Sequence, residues 1–195
     1  MFRHVIFDLD KTIVDLNVEW THARKEIIQY MREVGIEVED EEKFSLWEMP
    51  FRIKEFKKHK KETDKIFEKW ERKAIEEGRV SRREYAVRLI EKLDGKILGI
   101  VSNNCHSTIE KVLSDIGIRD RFEYVVGRDD VYDVKPLPGI VEEAIKRSGV
   151  EKNNSIFVGD SKWDFIAGSM AGIPVFLMRN EEEARTLEYI LNLTL

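Results

Sequence analysis

The sequence predicts an α/β protein, a parallel sheet covered on both faces by helices and interrupted after its first strand by a helical insert. A short apolar run at the N-terminus ends abruptly in acidic residues, the mark of a buried strand. The stretch from about 16 to 94 is charged and helix-periodic, with no second strand pattern. From residue 95 onward strand and helix patterns alternate, which is the spacing of βαβ units.

RHVIFDL (3–9) is the first expected strand, running into Asp8 and Asp10. Trp20, Ala23, Ile27, Ile28 and Met31 recur at helical spacing, and Gly35 stops that helix. Ile66, Phe67, Trp70, Ala74 and Ile75 mark another, ending at Gly78. Ser81 is expected to cap the next helix with Glu84 as its box partner, and Tyr85, Leu89, Ile90 and Leu93 form its apolar face. KILGIVS (96–102) reads as a strand, and Ile109, Val112, Leu113 and Ile116 as a helix stopped by Gly117. YVVG (124–127) follows as a short strand, and Ile140, Val141, Ala144 and Ile145 as a helix ending at Gly149. SIFVGD (155–160) is a strand leading to a short helix with Phe165, Ile166 and Ala167, closed by Gly172. PVFLM (174–178) is the last strand, and Ala184, Leu187, Ile190 and Leu191 line a final helix.

The 195 residues exceed the usual size of a single domain, about 100–150 residues, and suit one main core with one insert. With 42% hydrophobic residues the chain can build a core, which excludes a disordered chain although 36% of residues are charged. No run approaches the ~18 apolar residues of a membrane span, so no membrane partner is expected. The balance of 33 Lys+Arg against 38 Asp+Glu, net −5, argues against a general nucleic-acid binder. Between Arg52 and Lys73, however, ten basic residues face five acidic ones, a local +5. Cys105 stands alone, which excludes a disulfide framework and a cysteine metal cluster. The N-terminus carries acids where a secretory signal needs an apolar stretch, so a reducing, cytoplasmic setting is expected.

In open α/β sheets ligands bind outside the carboxyl ends of the strands. There the sequence places Asp8 and Asp10, then Ser102 and Asn103, then Lys135 in the loop after the 124–127 strand, then Asp160 and Asp164. Each group alone is ordinary turn or cap chemistry. Together they bring four carboxylates, a hydroxyl, amides and one ammonium to one edge. Crowded carboxylates are costly unless a cation sits among them, and with only hard oxygen ligands available that cation is Mg²⁺. Such a pocket can hold a phosphoryl group and its transition-state charge. One aspartate can then attack phosphorus while the second protonates the leaving oxygen and later activates water.

These residues resemble the four ordered motifs of the haloacid dehalogenase superfamily. FDLDKT (7–12) is similar to the first and VSN (101–103) to the second. Lys135-Pro136 is similar to the third, and GDSKWD (159–164), leading into Ala171-Gly172, to the fourth. The resemblance implies a Rossmann-like three-layer α/β/α core over 1–15 and 82–195, with an inserted α-helical cap over 16–81. It implies Asp8 as the nucleophile and Asp10 as the acid/base. The Asp8 carboxylate, the Asp10 backbone carbonyl, Asp160 and Asp164 would hold Mg²⁺. Ser102 and the Asn103 amide would bind phosphoryl oxygens, and Lys135 would neutralise charge and steady Asp8. The implied activity is a Mg²⁺-dependent phosphatase of small phosphorylated metabolites, close to the phosphoglycolate phosphatase-like branch. Phosphomutase, phosphonatase and a catalytically silent interaction module stay open as alternatives.

One departure is Lys11 where the superfamily has glycine: either the turn needs no glycine, or a cation is placed at the entrance. Cys105-His106 follows the second motif, but adjacent residues at a helix start are read as structural. Trp20, Trp47 and Trp70 are read as the insert's own core. The basic run 54–65 is read as a solvated helix face, unless some of its lysines or Arg52 overhang the site. Asp129 and Asp130 are read as loop residues.

Overall fold

The computed structural model describes residues 2–192. β1 (His4–Phe7) lies at the centre of a five-stranded parallel sheet. Its neighbours are β4 (Ile97–Val101) on one side and β6 (Ser155–Gly159) on the other. β5 (Tyr124–Val126) and β7 (Val175–Leu177) form the edges. Successive side chains of a strand point to opposite faces, so β1 feeds two cores. Val5 and Phe7 pack with α4 (Glu84–Lys92), α5 (His106–Asp115) and α8 (Glu181–Asn192). Ile6 packs on the other face with α6 (Gly139–Ser148) and α7 (Lys162–Ala171). A strand buried on both faces carries no alternation, which is why β1 reads as one apolar run.

His4 is the polar member of that run, and it is fully buried. Ser155 Oγ donates to the Glu151 carbonyl at 3.2 Å, so it is free to accept from His4 Nδ1 at 2.8 Å. Nε2 then accepts from the Tyr124 hydroxyl at 2.5 Å. Burial holds His4 neutral by pushing its pKa down to about 4.

The five sheet strands coincide with the five expected ones, each shorter by one to three residues. The insert differs from expectation in one respect. β2 (Val14–Leu16) and β3 (Val80–Arg82) pair antiparallel, with Asp15 opposite Ser81. Three-residue strands are too short to show alternation, so the sequence reads as continuous helix there. Ser81 is therefore in a strand and caps nothing. The residue before α4 is Arg83, without a side-chain cap bond, and its guanidinium reaches Asp15 instead at 2.9 Å.

Between the paired strands lie α1 (Trp20–Glu33), the four-residue α2 (Met49–Arg52) and α3 (Phe56–Glu76). Ala23, Ile27, Ile28 and Met31 of α1 pack against Phe67 of α3, forming a separate apolar cluster. α3 begins ten residues before Ile66, the first residue of its apolar pattern, because its opening turns are mostly charged. The lysines of that run are exposed except Lys60, which is buried. Arg52 reaches the Glu39 carbonyl at 3.0 Å and lies over the Phe44 ring, so it stays within the insert. No described helix is long and apolar enough to cross a membrane.

Candidate active site

The ladder of β1 continues one residue past the strand, since Asp8 N donates to the Val158 carbonyl at 2.8 Å. That bond carries the Asp8 side chain to the carboxyl edge of the sheet. The chain then folds back tightly, with Lys11 N on the Val14 carbonyl at 2.7 Å. This turn puts Lys11 at φ 65°, in the left-handed region. The turn thus demands the backbone angle that glycine adopts freely, and lysine meets it at a cost of about 1–2 kcal/mol. The Lys11 ammonium is held by Asp15 at 3.1 Å.

Asp8 is 4% exposed; its Oδ1 accepts from Lys135 Nζ at 2.5 Å and its Oδ2 from the Thr12 hydroxyl at 3.2 Å. Lys135, equally buried, also donates to Asp164 Oδ1 at 2.6 Å. The other Asp164 oxygen accepts from Ser161 N at 3.0 Å and Ser161 Oγ at 2.5 Å, which ties the start of α7 to the site. Gly159 permits this approach, because a Cβ there would lie 2.5 Å from the Asp164 side chain. Asp10 Oδ1 accepts from Leu16 N at 2.8 Å, at the mouth of the β2–β3 pair.

Oxygens of Asp8, Asp160 and Asp164 lie within 4.8 Å of one another. Burial pushes the pKa of Asp8 up to about 8, with the neighbouring Asp164 and Asp160 charges adding and the Lys135 ammonium opposing. Burial and the Asp164 charge also raise Asp160. Burial raises Asp10 to about 6. Asp164 moves the other way: burial would raise it, but the Lys135 ammonium and the Ser161 donors hold it below the usual range. Four carboxylates thus crowd around one buried ammonium. An all-oxygen donor set with surplus negative charge fits a hard divalent cation such as Mg²⁺.

The second strand end supplies two clasps. The Asn103 side chain accepts from Lys135 N at 3.0 Å and donates to the Lys135 carbonyl at 2.9 Å, fixing the loop that carries the lysine. The side-chain amide is therefore used structurally, and the backbone N–H is the Asn103 donor left for a ligand. Ser102 Oγ donates to Asn104 Oδ1 at 2.9 Å, and Asn104 Nδ2 donates to Glu71 Oε1 at 3.0 Å. Glu71, on α3 and fully buried, also accepts from Cys105 N at 2.9 Å. Arg128 is clamped by the same helix, with Nε on Asp64 Oδ1 at 2.7 Å and its guanidinium 3.5 Å above the Phe67 ring.

All seven expected site residues, Asp8, Asp10, Ser102, Asn103, Lys135, Asp160 and Asp164, line one cavity of about 220 Å³. Thr12, Asn104, Trp163 and the remote Glu71 were not singled out by sequence. Glu71 carried a signal, since it falls at helical spacing between buried Phe67 and Ala74, on the apolar stripe. Trp20 and Trp47 both pack in the insert and line the cavity, so they are more than the insert's own core. Cys105 is buried with its thiol pKa pushed up by burial, its Sγ donating to the Asp64 carbonyl at 3.5 Å. His106 pairs instead with Asp130 at 2.7 Å, and Asp129 accepts from His106 N, so these are loop and helix-start contacts.

A carboxylate cluster facing an ammonium at the carboxyl edge of a parallel sheet defines an enzyme of the α/β hydrolytic or group-transfer kind. The chain belongs to the haloacid dehalogenase-like hydrolase family, whose model matches residues 5–178. It is 28% identical over 185 residues to the phosphoglycolate phosphatase of Photorhabdus laumondii, covering 88% of this chain and 78% of that one. It is 33% identical over 95 residues to the pyrophosphatase PpaX of Halalkalibacterium halodurans, covering 47% of this chain and 44% of that one. The match to an (S)-2-haloacid dehalogenase of Pseudomonas putida is 35% over 93 residues and spans 41% of that protein. The chain thus spans less than half of these last two relatives. Among solved structures, CbbY of Rhodobacter sphaeroides in complex with phosphate superposes with a TM-score of 0.65 at 16% identity, covering 92% of this chain and 87% of that one. A subfamily IA hydrolase of the superfamily from Geobacter sulfurreducens superposes with 0.63 at 18% identity, covering 96% and 100%. The fold is the superfamily's α/β fold, and with its phosphatase-named relatives the chain is a phosphoric monoester hydrolase.

Proposed function

We propose that this hydrolase is Mg²⁺-dependent and releases phosphate from small phosphorylated metabolites by way of a phosphorylated Asp8. The observation that carries the reading is the ion pair of Asp8 with Lys135 inside the carboxylate cluster at the cavity floor. Lys135 aims one Asp8 oxygen, and with a bound cation it would keep the carboxylate ionised against the burial that raises its pKa, ready to attack phosphorus. As the Asp8–phosphorus bond forms, the bond to the leaving oxygen breaks, and Asp10 gives that oxygen its proton. The raised pKa of Asp10, about 6, keeps a useful protonated fraction for this step. Asp10 then takes a proton from a water that attacks the same phosphorus, and Asp8 leaves with its carboxylate restored. The Asn103 backbone N–H, Lys135 and the Ser102 hydroxyl, once turned from Asn104 Oδ1, would bind the transferring oxygens. Asp8, the Asp10 carbonyl, Asp160 and Asp164 would hold Mg²⁺, which when bound neutralises charge on the phosphoryl group.

The insert, 16–81, serves as a cap over a core of 1–15 and 82–195. In support, the chain leaves the core along β2 and returns along its antiparallel partner β3, so both boundaries fall in one ribbon. Relatives named for phosphoglycolate and pyrophosphate, and a CbbY structure holding xylulose-(1,5)bisphosphate, support a small phosphorylated substrate. The test is phosphate release from a panel of phosphomonoesters with and without Mg²⁺, beside Asp8→Asn. Release that needs both Mg²⁺ and Asp8 is expected. Undiminished release by Asp8→Asn overturns the covalent mechanism.

A further inference from the structure

The cavity above the acids has two chemically distinct halves. Its floor is charged and belongs to the phosphoryl group. Its walls are aromatic, built from Trp20 and Trp47 of the insert and Trp163 at the start of α7. Trp20 and Trp47 meet edge to face at 5.3 Å and 76°, and Phe67 supports them at 5.7 and 5.9 Å. The two indoles are therefore fixed before any ligand arrives.

The two cations of the cavity already carry carboxylate partners. Lys135 is shared between Asp8 and Asp164 and is buried. Lys11, at the rim, is held by Asp15. Among the described residues these are the only basic side chains lining the cavity. Lys162 rests over the Trp163 ring at 4.3 Å and does not line it. The lysines of α3, Lys57, Lys60, Lys61 and Lys65, line a different cavity. A second anion on the substrate would have to draw Lys11 away from Asp15, or lie against the tryptophans without a partner, near the Asp10 carboxylate, and lose its hydration there. The cavity, about 220 Å³, is also below the roughly 300 Å³ floor of drug-sized ligand sites. It leaves little room beyond a phosphoryl group and one ring.

We propose that the substrate is a monophosphate whose leaving group is an uncharged, apolar or aromatic alcohol of about one ring, seated between Trp20, Trp47 and Trp163. The proposal rests on the phosphatase reading above and goes beyond it by excluding substrates with a second anionic group.

The experiment compares benzyl phosphate with 2-phosphoglycolate in Mg²⁺ buffer, with p-nitrophenyl phosphate as reference. Both test compounds release an aliphatic alcohol, so intrinsic reactivity is similar and the ratio of kcat/KM reports on the walls. Benzyl phosphate is expected to be favoured at least tenfold. Trp47→Ala is expected to cut that ratio severalfold, and Trp47→Phe to restore most of it. A wild-type ratio of one or below overturns the proposal, and needs no variant to fold. An unchanged ratio in a folded Trp47→Ala protein likewise overturns it. Turnover of p-nitrophenyl phosphate without benzyl phosphate overturns this inference alone. Failure of all three compounds overturns the phosphatase reading beneath it.

Discussion

Glu71 ties the insert to the phosphate loop, and removing it should be costly. Its carboxylate is fully buried and accepts from Asn104 Nδ2 at 3.0 Å, Cys105 N at 2.9 Å and the Thr108 hydroxyl. Glu71→Ala leaves all three donors without a partner in the interior. Each such buried donor costs roughly 1–3 kcal/mol. Against this stands relief of the carboxylate's own desolvation, which raises the Glu71 pKa in the fold. Three buried donors left unpaired, less that relief, should net roughly 2–5 kcal/mol. Domains of ordinary stability hold about 5–15 kcal/mol, so the variant should be marginal but foldable. Glu71→Gln keeps the shape and one acceptor oxygen, and should lose about half as much. Urea unfolding at pH 7 measures both, with an unchanged m value as the check that the unfolded state is the same. A loss below about 1 kcal/mol for Glu71→Ala would show that these bonds do not tie the insert down, because surface substitutions alone reach about 0.5 kcal/mol.

His4 should make stability fall with acid. Its pKa is about 4 in the fold against 6.5 for a histidine in water, so between those values the unfolded chain binds the proton and the fold does not. Stability is full above pH 6.5 and declines by about 3 kcal/mol as pH falls through 4, at 1.36 kcal/mol per unit. A His4→Gln protein should lack that component, and wild-type and variant stability curves running parallel from pH 7 to 4 would contradict it. At Lys11, φ 65° strains any residue with a Cβ. Lys11→Gly should therefore be about 1 kcal/mol more stable than Lys11→Ala, since both lose the Asp15 contact and only glycine relaxes the turn. Equal unfolding midpoints would count against strain there. Asp10→Asn should slow turnover by about 10²–10⁴-fold and remove a titration near pH 6 from the kcat profile. A pH profile identical to wild type would sink the acid/base role.

The sheet was legible because its central strands are buried on both faces, and uninterrupted apolar runs bounded by glycine and acids have few other readings. The polar residues that line the cavity were legible for a related reason. Asp8, Ser102 and Asp160 directly follow those runs, and the carboxyl edge of a parallel sheet collects whatever follows its strands. What stayed hidden depends on tertiary partners. Lys60 looks like a solvated charge on a helix of charges until Arg128 is brought against it, and the place of Glu71 on the apolar stripe does not reveal its partner Asn104. Likewise β2 and β3 are strands only because the insert between Leu16 and Val80 folds back and brings their ends together. Propensity over three residues cannot report such a pairing. Lys11 was half legible: the position was seen to be unusual, but only the backbone angle shows that the turn does take the conformation glycine favours.

These hidden contacts converge on one rod. Along α3, Asp64 holds Arg128, Phe67 supports Trp20 and Trp47, and Glu71 holds Asn104 and through it Ser102. The wall that faces the leaving group and the loop that faces the phosphoryl group are thus mounted on the same 21-residue helix. A shift of α3 along its axis would move both together, because neither contact has slack in a close-packed interior. Substrate fit at the tryptophans and orientation of the Ser102 hydroxyl should therefore be coupled. A double-mutant cycle between Trp47→Ala and Glu71→Gln, read as kcat/KM, measures that coupling. An interaction energy above the ~0.5 kcal/mol of independent sites is expected, and strict additivity would show that the helix transmits nothing.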